Sequence, residues 1–144
     1  IADLGEQPAE AILREIGEPR LRGMLRLAGY IPNSDLPAIY NRASAFLYTS
    51  LRESFGIPQL EAMACGTPVV TSATSAIPEV AGQGAILVDP TDPTAIADAL
   101  LRLETDAEFR AGQVAYGLER VKQFSWEKTA RHLLALYESL GKTN

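Results

Sequence analysis

Residues 49–71 read TSLRESFGIPQLEAMACGTPVVT, and the remainder of the chain is organised around them. The stretch parses as a strand exit, a polar loop, a helix and a second strand. The spacing predicts a helix from about Gly56 to Cys65: Pro58 has no N–H to lose in a first turn, and Gly66 suits the stop. A helix start carries unpaired backbone amides and the positive end of the macrodipole, so it suits an anion such as a phosphate. Two carboxylates, Glu53 and Glu61, bracket that mouth and would repel an anion unless they face something else. Sugar hydroxyls answer that description. Glu61 lies one helical turn after Ile57, so its side chain returns toward the mouth. There it could accept paired hydrogen bonds from a ribose diol while a diphosphate fills the mouth, and Glu53 could accept from a transferred sugar. The plain alternatives stay open: Glu61 complements the helix dipole, and Glu53 is a solvated loop residue.

Working outward, Ala43–Tyr48 is a short apolar run of the kind found in buried parallel strands, and Pro68–Thr71 is another. Ahead of them, Pro8–Glu18 fits a helix with Ala11, Ile12, Leu13 and Ile16 at helical spacings. Met24–Tyr30 alternates apolar and polar residues and reads as a strand closing at Gly29, and Ser34 can cap a helix through Asn41. Beyond the central stretch, Ser75–Val80 reads as a short helix and Ala85–Val88 as a strand. The turn Asp89-Pro90-Thr91-Asp92 follows, then helices over Thr94–Glu104, about Asp106–Gln123 and Ser125–Leu140. Alternating strand and helix predicts an α/β, Rossmann-like parallel sheet with helices on both faces. Such sheets bind ligands beyond the carboxyl ends of their strands, where the polar loops of this chain collect.

At 144 residues, 47% hydrophobic and 22% charged, the chain has the composition of one globular domain. A net charge of −5 argues against a nucleic-acid surface. No apolar run approaches the ~20 residues of a membrane span, and the single cysteine excludes an intrachain disulfide, so a cytoplasmic setting is expected. The chain opens on a helix-like segment, where a parallel α/β domain ordinarily opens on a strand. The expectation is therefore a partial domain over residues 1–144, cut from a longer protein and lacking its first strand–helix unit.

The pattern Glu-(seven residues)-Glu, here ESFGIPQLE followed by AMACGTPVV, resembles the donor-binding signature of family 4 retaining nucleotide-sugar glycosyltransferases, enzymes of the GT-B fold with two facing Rossmann-like domains. The resemblance runs from Gly29-Tyr30-Ile31 through Leu36, Tyr40, Ala43 and Ser50 to the Glu pair. It continues through Ile77-Pro78-Glu79-Val80 and Val88-Asp89-Pro90 to Phe124-Ser125-Trp126. It implies the C-terminal, donor-binding half of such an enzyme. By it, Glu61 would bind the ribose and Glu53, the catalytic candidate, would contact the donor sugar. Ser54, Phe55, Gly56 and Ile57 would serve the sugar and diphosphate, Ile31 would lie in the nucleobase pocket, and Ser50 and Arg52 would line the crevice. The implied partners are a nucleotide-sugar donor and a glycan or lipid-linked acceptor, the latter held by a missing N-terminal domain. The parent enzyme would sit in the cytoplasm or at the inner face of the membrane. No cofactor is implied.

Departures from the family pattern accompany the match. The basic residue that neutralises the diphosphate in the family comes from a unit ahead of Ile1, and the acceptor-domain histidine has no counterpart. Thr74-Ser75-Ala76 stands where many members carry two glycines, a variation that leans toward GDP-mannose. His132 reads as a surface or packing residue, Cys65 as core, Trp126 as a packing anchor, and Asp89 and Asp92 as turn and cap residues rather than metal ligands. A non-catalytic α/β binding or interaction domain is the competing reading. A dinucleotide-dependent oxidoreductase is disfavoured, because no Gly-x-Gly-x-x-Gly follows a strand. A receiver domain is disfavoured too, because no acidic cluster follows an early strand.

Overall fold

The computed structural model describes residues 6–18 and 20–141, with side chains from residue 10 onward. The chain divides into two compact units, with the boundary between Ala38 and Ile39.

The first unit holds helix α1 (Glu6–Ile16), the short helix α2 (Arg20–Met24) and the start of α3 (Leu36–Arg42). Leu13 is buried, and Arg22 pairs with Glu10. The strand expected over Met24–Tyr30 is not formed: Met24 ends α2, residues 25–28 have no regular structure, and only Gly29 makes an isolated bridge. Alternation over so few residues is a weak signal, and a strand exists only through the ladder it joins; the described ladders lie elsewhere. Ser34 also departs from expectation, its hydroxyl donating to Asp35 Oδ1 at 3.0 Å in the turn before α3.

The second unit is a three-stranded parallel sheet, β1 (Phe46–Tyr48), β2 (Val69–Ser72) and β3 (Ala85–Val88), in that spatial order. Phe46 pairs with Val69 and Tyr48 with Thr71, a constant offset of 23 positions (69 − 46). Every residue of β2 is buried, whereas β1 is an edge of the described sheet with Leu47 exposed, so the buried strand expected at 43–48 is shorter and half open. Between the strands lie α4 (Ile57–Ala64) and α5 (Ile77–Ala81); α6 (Pro93–Thr105), α7 (Ala107–Val121) and α8 (Trp126–Gly141) follow. Val70, Val88 and Leu103 form one core cluster, with Ile86, Ile96, Leu100 and Phe109 packed on it. On α4, Met63 is 1% exposed, a burial that stabilises by about 1.5–3 kcal/mol. Gly117 lets α7 close on it, since a Cβ there would stand 3.2 Å from Met63 Cγ.

The turn and caps after β3 are as expected. Asp89 Oδ1 accepts from Thr91 N (2.8 Å) and Thr91 Oγ1 (2.7 Å), which holds its carboxyl below the usual carboxylate range. Asp92 caps α6 by accepting from Thr94 N and Ala95 N, and Asp106 caps α7 through Phe109 N. Trp126 is not a packing anchor in this unit. It is 82% exposed, at the start of a helix in which no residue is buried. Cys65 is half-buried at the C-cap of α4 rather than in the core. Among the described residues no helix is long and apolar enough to cross a membrane.

Candidate donor site

The site grows from the place where the β1–β2 ladder stops. Past Tyr48 and Thr71 the two backbones part, and hydroxyls on the β2 side take over the pairing. Thr71 Oγ1 donates to Tyr48 O (2.9 Å), Ser72 Oγ to Ser50 O (2.6 Å) and Thr74 Oγ1 to Leu51 O (3.3 Å). Ser75 completes the series: its Oγ donates to Glu53 O (2.7 Å) and accepts from Glu53 N (3.3 Å). These bonds bridge 22 or 23 positions and extend the strand register into the loop. The polar run Thr71-Ser72-Ala73-Thr74-Ser75 thus fixes the 48–53 backbone, satisfying carbonyls that would otherwise lack partners at the strand ends. This run is one of the polar loops expected at the carboxyl ends of the strands, and it includes Thr74 and Ser75 of the Thr74-Ser75-Ala76 stretch.

The loop then turns into α4 at Gly56, which adopts φ +84° as the N-cap and has no side-chain cap. Glycine adopts that conformation without steric cost, and a Cβ would meet Gln59 Nε2 at 2.9 Å. Gln59, at N3, is fully buried and reaches back to Phe55 O (3.4 Å). Its Oε1 has no hydrogen-bond partner among the described residues. The sequence signal for Gln59 is its place three residues after the N-cap Gly56, the spacing of a capping box.

Both carboxylates are held by tyrosines. Tyr48 Oη donates to Glu53 Oε1 at 2.5 Å, and Tyr40 Oη donates to Glu61 Oε2 at 3.2 Å. The two phenols belong to one aromatic series. Tyr40 meets Phe46 edge-on at 5.2 Å, and Phe46 stacks on Tyr48 at 5.8 Å. Burial, then the Glu61 charge and hydrogen bond, push the Tyr40 hydroxyl up to about 12. Burial and the Glu53 hydrogen bond raise Tyr48 likewise. Both phenols therefore stay protonated donors.

Ile57 and Glu61 share a face of α4, as their spacing required. With Phe55 and Trp126 they line a cavity of about 800 Å³. Phe55 packs edge-on against Phe124 at 5.7 Å, and Arg120 lies over Phe124 while its guanidinium donates to Val80 O and Glu79 O. Of the residues singled out from the sequence, Phe55, Ile57 and Glu61 line this cavity, Gly56 is the N-cap of α4, and Glu53 and Ser54 lie in the loop just before it. Ser50 and Arg52 sit in the stapled loop, where Ser50 Oγ donates to Arg52 O at 3.4 Å. Ile31 belongs to the first unit and is half-buried there. Among the described residues no cluster of three or more His, Cys, Asp or Glu could hold a metal ion.

Comparisons with known proteins identify the family. Residues 4–120 match the family described as Glycosyl transferases group 1. The O-antigen chain mannosyltransferase B of Escherichia coli is 42% identical over 118 residues, covering 82% of this chain and 31% of that protein. A D-inositol 3-phosphate glycosyltransferase of Salinispora tropica is 46% identical over 109 residues, 72% of this chain and 22% of that protein. The chain therefore spans less than a third of the length of these relatives. Sucrose-phosphate synthase from Thermosynechococcus elongatus superposes with a TM-score of 0.82 at 30% identity, over 96% of this chain and 35% of that one. HepE of Anabaena in complex with UDP-glucose gives 0.81 at 22% identity, over 94% and 38%, a likeness of fold.

Proposed function

Because the chain belongs to the group 1 glycosyl transferases, we propose that it is the donor-binding half of an enzyme that moves a hexose from a nucleoside-diphosphate sugar to a glycan or lipid-linked acceptor, with retention at the anomeric carbon. The observation that carries the reading is that two carboxylates, Glu53 in the loop before α4 and Glu61 on α4, are each held by a tyrosine hydroxyl. In this reading Glu61 accepts from the ribose hydroxyls and Glu53 from the donor sugar, while the backbone from Ser54 to Ile57 faces the sugar and diphosphate. Ser50 and Arg52 line the crevice.

As the bond between the anomeric carbon and the diphosphate oxygen breaks, negative charge builds on the leaving group and the sugar becomes cation-like. Preorganised amides at a helix start stabilise such charge without reorganising at the moment of reaction. In this reading the leaving charge is met by those amides and by a basic residue elsewhere in the polypeptide. GDP-mannose is the favoured donor, in keeping with the mannosyltransferase relative and with Thr74-Ser75-Ala76. That HepE was solved with UDP-glucose supports the wider class of ligand. The acceptor is assigned to a further domain, so the 144 residues alone bind nucleotide weakly and turn nothing over.

The test is transfer by the complete polypeptide, with GDP-mannose and UDP-glucose offered in turn and the anomeric configuration of the product read by NMR. Retention of the donor's configuration is expected, in a reaction indifferent to chelators. Inversion, or comparable turnover by the 144 residues alone, would contradict the proposal.

A further inference from the structure

We propose that Tyr48 and Ser75 are the positioning residues of Glu53, locking one carboxylate oxygen and the backbone of the same residue so that the second oxygen, Oε2, is presented to the donor sugar. The inference rests on the reading of Glu53 as the sugar contact and adds what makes that contact specific.

A glutamate in a loop ordinarily samples several rotamers on a mobile backbone. Glu53 is constrained at three atoms instead. Its N–H and its carbonyl both engage Ser75 Oγ, and its Oε1 accepts from Tyr48 at 2.5 Å. The two holders are themselves fixed. Tyr48 ends β1, its backbone paired in register with Thr71 and its ring stacked on Phe46 at an interplanar angle of 17°. Ser75 has φ +59°, the one positive φ outside glycine among the described residues. A serine held in the left-handed region stores strain, and such strain persists where surrounding structure requires the geometry; here the conformation aims Oγ at Glu53. The burial that raises the Tyr48 hydroxyl also keeps it a donor across the neutral range.

Neither residue needs to touch a ligand, so their removal should read out selectively. A hydrogen bond to a charged group that only orients it is worth about a five- to tenfold change in affinity once lost. In the complete polypeptide, calorimetry compares GDP-mannose with GDP, and UDP-glucose with UDP. Tyr48→Phe is expected to weaken the sugar nucleotide about five- to tenfold and leave the matching nucleoside diphosphate unchanged. Ser75→Gly removes the hydroxyl while permitting the positive φ, and is expected to show the same split. A merely structural role would weaken both ligands together, and that result overturns the proposal. So does an unchanged sugar-nucleotide affinity in both variants when Glu53→Ala lowers it. If Glu53→Ala also leaves sugar-nucleotide affinity unchanged, or if neither sugar nucleotide binds the unaltered protein, the assignment of Glu53 to the sugar fails, and the proposal built on it fails too.

Discussion

Replacing Gly56 with alanine tests the turn on which the site is built. The residue sits at φ +84°, and an L-residue in the left-handed region costs about 1–2 kcal/mol relative to glycine. The new Cβ would stand 2.9 Å from Gln59 Nε2, so the buried carboxamide must move. Moving it weakens the Nε2–Phe55 O bond, for roughly another 1 kcal/mol. Tyr48 Cε1, at 3.6 Å, is in ordinary contact and adds nothing. The sum is about 2–3 kcal/mol, a large fraction of a typical domain's stability. Urea denaturation followed by circular dichroism should show the midpoint falling with little change in slope. Nucleotide affinity should fall as well, because the displaced amides are the ones assigned to the diphosphate. A loss below about 0.5 kcal/mol would refute the reasoning, since it would mean that the turn relaxes freely.

Two further outcomes follow from the caps and the phenols. Asp92→Ala should cost about 1 kcal/mol in the same denaturation assay, whereas Asp92→Asn, which keeps an accepting oxygen, should cost little; a loss in both alike would argue against capping. Tyr40, with its pKa raised from 10.0 to about 12, favours the folded state fully below pH 10, and that contribution fades as pH rises from 10 through 12, because the unfolded chain gives up the proton first. Spectrophotometric titration should therefore show a late-ionising tyrosine that Tyr40→Phe removes, and ionisation of Tyr40 near pH 10 would count against the Glu61 pairing.

Much of this architecture was written in local signals. β2, β3 and α4 fall within a residue or two of their expected limits because apolar runs were bounded by glycine and proline at Gly56, Pro58, Gly66 and Gly84. The two carboxylates were legible from their spacing on either side of a helix start. What holds them was not. Tyr40 lies 21 positions before Glu61, a distance bridged only once α3 and α4 are placed together, and Ser75 lies 22 after Glu53, a distance bridged only once β1 and β2 pair in register. The expected strand at 24–30 failed for the converse reason: alternation is a local pattern, and a ladder is not. Trp126 misled because aromatic size implies burial, and α8 buries none of its residues within this unit.

The assignment of Glu61 to the ribose is the centre of the account. Calorimetry of the complete polypeptide with GDP and with UDP, before and after Glu61→Ala, tests it most directly. Loss of charge-assisted hydrogen bonds to the diol should weaken the bound nucleotide tenfold or more, about 1.5–3 kcal/mol. An unchanged affinity would contradict it.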